Sequence, residues 1–434
     1  MHFAQTERAG EHDLLRRLAD AREQSDALFG YVRPEFLYRR PIAERHRIIF
    51  YVGHLEAFDW NLLSERALEL KSFSKELDHL FAFGIDPVDG GLPTDVESDW
   101  PVREDVQRYV NRVRRELDSS VERAFTEGAA RKDFPLEQLL QVAIEHRLMH
   151  AETLAYMLHR MPLEQKARPA ADAQRLASPV APRMIEIPAG DALLGLRRDE
   201  PVFGWDNEFE QQHVQLPAFE IDQFKVTNRE YLKFVEAGGY QDQNCWSAAG
   251  WEWIRKNGIR HPGFWRQQDG RWSQRTMFDE VPLPLDWPVY VSQSEASAYA
   301  CWAGKALPTE TQWQRAAYGC AKGSMGVQAA RGNSDFHRWD PTPVNANPES
   351  ANSFGLSDYA GNGWEWTSTL FAAFPGFEPF PFYPGYSANF FDNQHYVMKG
   401  GSMRTAACLL RPSFRNWFQP HYPHVYAGFR CVKN

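Results

Sequence analysis

The chain has 434 residues, enough for two or three domains, and its 43% hydrophobic and 24% charged content is that of an ordinary globular protein. The net charge of −9 argues against nucleic acid or an anionic membrane surface as the main partner. No apolar run reaches the length of a membrane span, and the N-terminus lacks a signal-peptide pattern, so we expect a cytoplasmic protein.

Four segments in the first 160 residues have apolar positions at intervals of three and four, as amphipathic helices do. They predict helices over residues 11–29, 42–68, 101–126 and 135–160. The connection at residues 84–101 is rich in glycine and proline, so it is predicted to be an irregular crossover. Four helices with one long connection indicate a four-helix bundle.

The fourth predicted helix carries His146 and His150, four residues apart. Such residues lie on one face of a helix, about 6 Å apart at Cβ, and can be neighbouring ligands of one metal ion. The same spacing is common between surface histidines, so a third ligand is needed. His54 lies in the second predicted helix, and metal sites in bundles are built from facing helices. The sequence therefore predicts a metal site of three histidines, whose open positions fit catalysis better than a structural role.

The chain changes character after residues 166–182, which are rich in alanine and proline and are predicted to be a linker. Beyond them the segments are short and are separated by glycine, proline and asparagine. Three helices are predicted, over residues 228–237 after Thr227, over residues 294–303 after Ser292 or Ser294, and from about residue 310 after Thr309. The remainder is predicted to form short strands and long loops. The second half is therefore predicted to be an irregular α+β domain with an aromatic core.

Five separated motifs of the second half occur in a known order, at residues 224–231, 306–313, 352–366, 400–402 and 428–430. Residues 183–434 thereby resemble the formylglycine-generating-enzyme (sulfatase-modifying factor) fold, a variant of the C-type-lectin fold. Residues 1–165, with the three histidines, resemble a DinB-type four-helix bundle. The resemblance implies an α+β protein of two domains, in which residues 166–182 are the linker and residues 183–434 supply the substrate pocket.

In this order and length, the two parts resemble the non-heme iron sulfoxide synthases of ergothioneine biosynthesis. The resemblance implies that His54, His146 and His150 bind Fe(II), and that O2 is a co-substrate. It further implies an oxidoreductase that joins a thiol to the imidazole C2 of hercynine (trimethylhistidine) and oxidises the sulfur to the sulfoxide. The expected partners are therefore small molecules.

Residues 413–418 resemble the family segment that contacts hercynine. The resemblance implies that Asn416 forms hydrogen bonds to the substrate and that Trp417 offers its face to the quaternary ammonium. Members that use γ-glutamylcysteine have Asp after this tryptophan, whereas this chain has Phe418, which cannot pair with an ammonium group. Members with Phe here resemble those that accept free cysteine, so cysteine is the expected thiol.

A second departure concerns the residue before the last histidine. Some members carry Gln there to contact the substrate, and this chain has Met149. The choice between hercynine and unmethylated histidine therefore stays open. An ovothiol-type synthase, which joins cysteine to histidine at C5, is an alternative, and a selenium donor is a further variant of the reaction.

Other candidate residues follow from the same resemblance. A tyrosine shortly before residues 400–402 donates a proton in part of the family, and Tyr383 and Tyr386 both lie there. Arginine binds carboxylates bidentately, so Arg411, Arg415 and Arg103 are candidate ligands for substrate carboxylates. Related enzymes bind calcium near residues 361–366, which makes calcium a second candidate ion in the C-terminal domain.

Three other functions fit the sequence less well. A sulfatase-maturing oxidase would need two cysteines after residues 400–402 to bind copper, and only Cys408 lies there. The five cysteines form no C-x-x-C pair, so neither a disulfide framework nor a zinc knuckle is indicated. A non-catalytic lectin-like module leaves the three histidines unexplained, and a zinc- or nickel-dependent thiol transferase of DinB type leaves the C-terminal domain unexplained.

Overall fold

A computed structural model of the protein describes residues 2–82, 92–127, 134–168, 179–319 and 332–433, with side chains from residue 13 onward. The chain forms two compact units, Met1–Pro169 and Ala170–Asn434. Most of the predicted linker and most of the glycine-rich part of the predicted crossover lie outside the described residues. Lys166, at the start of the predicted linker, is buried and forms a β-bridge with Val32, so it packs within the first unit.

The described part of the first unit contains four long α-helices and one short α-helix. They are α1 (His2–Gly30), α2 (Ile48–Leu63), α3 (Lys75–Leu80), α4 (Arg103–Glu127) and α5 (Leu136–Arg160). Helices α1 and α2 each contact both α4 and α5, so the four long helices form a bundle. The predicted apolar stripes face its interior, as Leu18, Leu55, Val113 and Leu139 show by their nearly complete burial. The predicted helical bundle is confirmed, and no described helix is long and apolar enough to cross a membrane.

The second helix begins at Ile48, six residues later than predicted. The backbone amide of Ile48 donates to the carbonyl of Arg39 at 3.1 Å, outside any helix. The Arg47 side chain donates to Asp95 at 2.9 Å and so anchors the preceding turn to a distant loop. These non-local contacts determine where the helix starts, and periodicity in the sequence does not report them.

The second unit is an α+β arrangement of short elements. Its described helices are α6 (Asn228–Glu236), α7 (Ala248–Asn257), α8 (Gln293–Trp302) and α9 (Glu310–Tyr318). Its described strands are β1 (Met184–Ile187), β2 (Gly190–Leu194), β3 (Gln212–Leu216), β4 (Phe219–Asp222), β5 (Trp265–Gln268), β6 (Arg271–Arg275), β7 (Glu280–Pro282), β8 (Trp364–Leu370), β9 (Tyr396–Lys399), β10 (Asn416–Phe418), β11 (Ala427–Gly428) and β12 (Val432–Lys433). The predicted fold class is confirmed.

Four small sheets arise from these strands, with orders β1-β4-β12, β10-β9-β8-β11, β2-β3 and β5-β6-β7. Every pairing is antiparallel except the one between β8 and β11. Strand β10 is therefore the edge of the four-stranded sheet, which places residues 416–418 beside β9 and away from the sheet centre.

Capping residues mark the helix starts of the second unit. Thr227, Ser292 and Thr309 each accept a hydrogen bond from the third residue of α6, α8 and α9, respectively. The three predicted caps are confirmed, with Ser292 chosen over its alternative. Helix α7 was not predicted, although Ser247 caps its start and Gly258, with φ of 64°, ends it.

One buried carboxylate, that of Glu365, connects several segments of the second unit. Glu365 accepts from Arg430 at 2.6 and 2.8 Å, from Trp313 Nε1 at 3.0 Å and from Lys225 Nζ at 3.1 Å. Burial opposes its charge, but the cations of Arg430 and Lys225 outweigh burial and lower the pKa of Glu365. These four residues come from four of the five sequence motifs. The fifth supplies Gly400, where a Cβ would lie 3.5 Å from the Trp313 ring and 2.8 Å from the carbonyl oxygen of Tyr359.

Replacing Arg430 with Met should destabilise the second unit strongly. The substitution leaves a buried carboxylate with Lys225 as its remaining cation, and breaking a buried ion pair costs about 3–5 kcal/mol. Urea unfolding of the purified chain measures the loss. Arg197→Met, at an exposed pair with Asp199, is the control and should leave the urea midpoint unchanged. Equal effects of the two substitutions would contradict the role assigned to Glu365.

Candidate metal centre

Three histidines of the first unit meet in the bundle interior. His146 and His150 lie one turn apart on α5, and His54 faces them from α2. The Nε2 atom of His150 is 3.1 Å from that of His146 and 3.3 Å from that of His54. The ligand atoms of these three histidines lie within 4.8 Å of one another, close enough to bind one ion.

A backbone carbonyl orients His54. Its Nδ1 lies 2.7 Å from the carbonyl oxygen of Phe81, which can only accept, so Nδ1 carries the hydrogen and Nε2 keeps its lone pair. Gly53 permits this approach, because a Cβ at that position would lie 2.5 Å from atoms of the Phe81 ring. Phe81 is absent from the sequence prediction. The signal that marks it is a glycine inside a helical pattern, beside a histidine.

Burial keeps the three imidazoles neutral. It lowers the pKa of His54 to about 4, although the hydrogen bond to Phe81 partly opposes it. Burial, and then the neighbouring histidines, lower the pKa of His146 and of His150 well below the usual value. Neutral imidazole is the form that binds a metal ion, so protons compete weakly for these nitrogens at neutral pH.

Aromatic rings from α2 enclose the histidines. Phe50 stacks on His54 with 4.8 Å between ring centroids, and Phe58 stacks on His146 at 3.4 Å. Tyr51 lies 5.8 Å from the His150 ring. These three residues are three or four positions from His54, so the helical face that carries one histidine also supplies the wall. The wall leaves each of the three histidines only 5% exposed.

The arrangement fits a single ion. Imidazole nitrogen lies about 2.0–2.1 Å from a metal such as zinc, which puts neighbouring ligand atoms roughly 3 Å apart. The observed 3.1 and 3.3 Å separations agree with that value. Uncharged nitrogen donors suit iron, zinc, copper and nickel, and three of them leave coordination positions for substrates.

In the second unit, Trp417 and Tyr386 lie together. Their ring centroids are 5.5 Å apart in an edge-to-face arrangement, and Trp417 stacks on Phe371 at 4.1 Å. Tyr386 is buried and stacks on Trp205 at 3.9 Å, whereas Tyr383 is half-buried, 5.7 Å from Tyr386. Of the two tyrosine candidates, Tyr386 is therefore the one in contact with the predicted substrate-binding tryptophan.

The residues on either side of Trp417 have local partners. The Asn416 side-chain oxygen accepts from the backbone N–H of Trp417 at 2.8 Å. Phe418 stacks on Tyr422 with 5.1 Å between centroids and an angle of 10°. Both residues are half-buried on β10. Substrate contact by these residues remains a prediction.

Two of the three candidate arginines form bidentate ion pairs inside the second unit. Arg411 donates to both oxygens of Glu208, at 2.8 and 2.5 Å. Arg415 donates to both oxygens of Glu310, at 2.8 and 3.0 Å, and is buried. These contacts use the guanidinium edge that a substrate carboxylate would need. Their predicted role in substrate binding is untested, and their observed role is to join distant segments.

The remaining candidates lie in the first unit. Arg103 is exposed at the first position of α4. Met149 is half-buried on α5, directly before His150. The structure thus brings together the three histidines and, in the other unit, Trp417 with Tyr386.

The segment predicted to lie near calcium is engaged in internal hydrogen bonds. The side-chain oxygen of Asn362 accepts from the Thr342 amide at 2.8 Å, and its nitrogen donates to Asp358 at 2.9 Å. The ammonium of Lys225 donates to the carbonyl oxygens of Asp358 and Gly361. A lysine beside these carbonyls opposes a cation at the same point, and calcium there stays an untested prediction.

Comparison with known proteins identifies the second half. The model of the sulfatase-modifying factor enzyme 1-like domain matches residues 169–434. A hercynine oxygenase of Mycobacterium tuberculosis is 40% identical over 54% of this chain and 56% of its own length. An inactive C-alpha-formylglycine-generating enzyme 2 of Mus musculus is 33% identical over 44% of this chain and 70% of its own length.

A further relative extends into the first unit. The ergothioneine biosynthesis protein 1 of Neurospora crassa is 27% identical over 92% of this chain and 55% of its own length. The chain spans about half the length of the curated relatives it matches.

Replacing any one of His54, His146 or His150 with Asn should weaken metal binding by more than a hundredfold. Loss of an outer partner alone costs tenfold to hundredfold, and loss of a ligand costs more. Anaerobic titration with Fe(II) or Co(II), followed by metal analysis, measures affinity and stoichiometry. His213→Asn, at an exposed histidine of the second unit, is the control and should bind like the unsubstituted chain. Unchanged binding in all three variants would exclude the site.

The metal-free first unit should lose stability as pH falls from 7 to 5.5. Burial lowers the pKa of these histidines in the folded chain, so the unfolded chain binds more protons below about pH 6.5. Each histidine then costs roughly 1 kcal/mol over this interval. Hydrogen exchange of the α5 amides in the presence of a chelator reports the loss. His150→Asn should reduce the pH dependence, and identical slopes would show that His150 takes up protons equally in the folded and the unfolded chain, against the expected effect of burial.

Proposed function

The chain belongs to the sulfatase-modifying factor enzyme 1-like family through residues 169–434, and from this premise we propose that it is an Fe(II)- and O2-dependent sulfoxide synthase. Its proposed substrates are hercynine and a thiol, which it joins by a carbon–sulfur bond at the imidazole C2. The names of two relatives, hercynine oxygenase and ergothioneine biosynthesis protein 1, support this assignment.

The buried, neutral histidine triad carries the proposal. Lectin-like domains commonly bind ligands without a metal centre in an adjoining bundle, whereas an oxygen-dependent synthase requires one. His54, His146 and His150 would hold the iron through Nε2. A bound Fe(II) ion would supply electrons to O2 and favour the thiolate form of the sulfur substrate. The residues of the chain have to hold the ion, exclude water and position the substrates.

The proposed reaction consumes one O2 for each product molecule. The thiol loses its S–H hydrogen, the imidazole loses its C2 hydrogen, and one oxygen atom becomes the sulfoxide oxygen. The other oxygen atom leaves as water with those two hydrogens. Four electrons pass to O2, two from carbon–sulfur bond formation and two from oxidation of the sulfur. No additional reductant is needed.

Substrate recognition is assigned to strand β10 and its neighbours. Trp417 offers an aromatic face of the kind that attracts a quaternary ammonium, and Asn416 has an amide for hydrogen bonding. Tyr386, whose ring contacts Trp417, is the preferred proton donor over Tyr383. The assignment of Tyr386 rests on this contact and on general acid catalysis by a positioned phenol.

Cysteine is the proposed thiol. A carboxylate after Trp417 would pair with the ammonium of γ-glutamylcysteine, but this position is Phe418, which stacks on Tyr422. An aromatic pair gives no ionic partner for that ammonium. The ovothiol-type reaction, with histidine in place of hercynine, is the second candidate, because Met149 supplies no amide beside His150.

The decisive measurement is oxygen uptake by the anaerobically iron-loaded chain. Hercynine with cysteine should give the highest rate and a product whose mass is the sum of both substrates plus one oxygen minus two hydrogens. Parallel reactions replace hercynine with histidine, and cysteine with γ-glutamylcysteine or a selenium donor. Mass spectrometry of the products identifies the substrates and the position of the new bond.

Matched variants complete the assay. His150→Asn should lower oxygen uptake by at least about a hundredfold, because the metal ligand set is incomplete, while His213→Asn should behave as the unsubstituted chain does. Absence of coupled oxygen uptake with every substrate pair would refute the proposal. Faster turnover with histidine than with hercynine would favour the ovothiol-type reaction.

A further inference from the structure

A buried cluster of charged residues lies beside the histidine triad, and the proposed chemistry does not use it. Arg147 follows His146 on α5, while Glu56 and Asp59 follow His54 on α2. Arg147 and Glu56 are each 1% exposed, and Asp59 is fully buried. Three ionisable groups in the interior of a small bundle are costly unless they are paired, so their contacts indicate what they do.

Arg147 joins α5 to a single turn of α2. Its Nη1 donates to Glu56 at 3.0 Å, and its Nη2 donates to Asp59 at 2.6 Å. Nη2 also donates to the backbone carbonyl of Leu55, the residue after His54, at 3.0 Å. One guanidinium thus holds two side chains and the backbone of the turn that carries the histidine.

The two other long helices meet the same cluster. Arg114 of α4 donates to Glu56 at 2.9 and 2.6 Å and to Asp26 of α1 at 2.7 and 2.8 Å. Arg147 lies 3.3 Å from the hydroxyl oxygen of Ser25, also on α1. All four long helices are therefore connected through Glu56 and Arg147. Glu56 lies two residues after His54 on α2, and Arg147 lies one residue after His146 on α5.

We propose that Arg147, with Glu56 and Asp59, positions the triad by fixing the register of α5 against α2. The inference rests on the proposed role of the three histidines as metal ligands. His146 and His150 move together because both lie on α5. Only their distances to His54 depend on how the two helices are placed, and those are the distances that the cluster controls.

The magnitudes support this role. A helix rises 1.5 Å per residue, whereas metal–ligand distances have to agree within about 0.2 Å. A slip of α5 by a fraction of one residue would therefore separate His54 from the other two nitrogens. Packed apolar side chains resist large slips, but their attraction is non-directional and does not by itself set the position to a few tenths of an ångström. A guanidinium with directed bonds to two carboxylates and a carbonyl does not, because each bond constrains distance and angle.

The test separates positioning from stability. Arg147→Met removes the cluster's donors to α2, and Arg430→Met breaks a buried ion pair with Glu365 in the second unit and serves as the destabilised control. Both variants should unfold at lower urea concentration. Only Arg147→Met should weaken Co(II) binding to the folded chain, by at least about tenfold, and alter the visible absorption of the bound cobalt. Arg430→Met should stay within about twofold of the unsubstituted affinity.

A milder variant guards against loss of the fold. Asp59→Asn keeps the size of the side chain and weakens one charged hydrogen bond, and it should lower Co(II) affinity severalfold in a folded protein. Unsubstituted affinity and spectrum in Arg147→Met, or in Asp59→Asn if the former does not fold, would overturn the positioning role. Absence of Co(II) binding to the unsubstituted chain would instead overturn the metal site itself.

Discussion

The first unit depends on one constraint, that three imidazoles stay neutral and close together in the buried interior of the bundle. Two charged histidines at these positions would repel each other across 3.1–3.3 Å, and a protonated nitrogen cannot bind a metal ion. Burial prevents this by lowering the pKa of each ring. Neutral rings, however, attract one another weakly, so the surrounding structure has to hold them. The Phe81 carbonyl orients His54, the aromatic residues of α2 enclose the rings, and the Arg147 cluster ties the helices.

Each unit contains a buried carboxylate that is paired with two cationic side chains. Glu56 receives Arg147 and Arg114, and together with Arg22 they outweigh the effect of burial and lower the pKa of Glu56 to about 2. Glu365 receives Arg430 and Lys225 in the second unit. In both cases the partners come from segments that are distant in sequence, so a single carboxylate joins several elements. Replacing a whole buried ion pair by apolar residues often changes stability little, whereas removing one partner leaves an unpaired buried charge and is costly.

The sequence predicted those parts of the fold that depend on local patterns. Four long helices followed from apolar spacing, and three helix starts followed from Thr227, Ser292 and Thr309. The predicted start of α2 was six residues too early, because the hydrogen bond between the Ile48 amide and the Arg39 carbonyl determines the observed start.

Contacts between distant segments were harder to predict. His54 was paired with α5 because bundle sites use facing helices. Phe81 was missed, because Gly53 indicates a close approach to α2 but not which distant residue makes it. Likewise, the order of the five motifs of the second half is evident in the sequence, but the meeting of four of them at Glu365 is visible only in three dimensions.

The internal ion pairs of Arg411 and Arg415 limit which charged groups could bind the proposed substrate near strand β10. Arg411 and Arg415 direct their guanidinium edges to Glu208 and Glu310, so their charges are compensated within the unit. The groups left at residues 416–418 are an amide and two aromatic rings, none of them charged. A free carboxylate gains little from such a surface, whereas a quaternary ammonium gains from an aromatic face and needs no hydrogen-bond acceptor. The proposed substrate contact at β10 therefore fits the trimethylammonium end of hercynine, which is the feature that distinguishes hercynine from histidine.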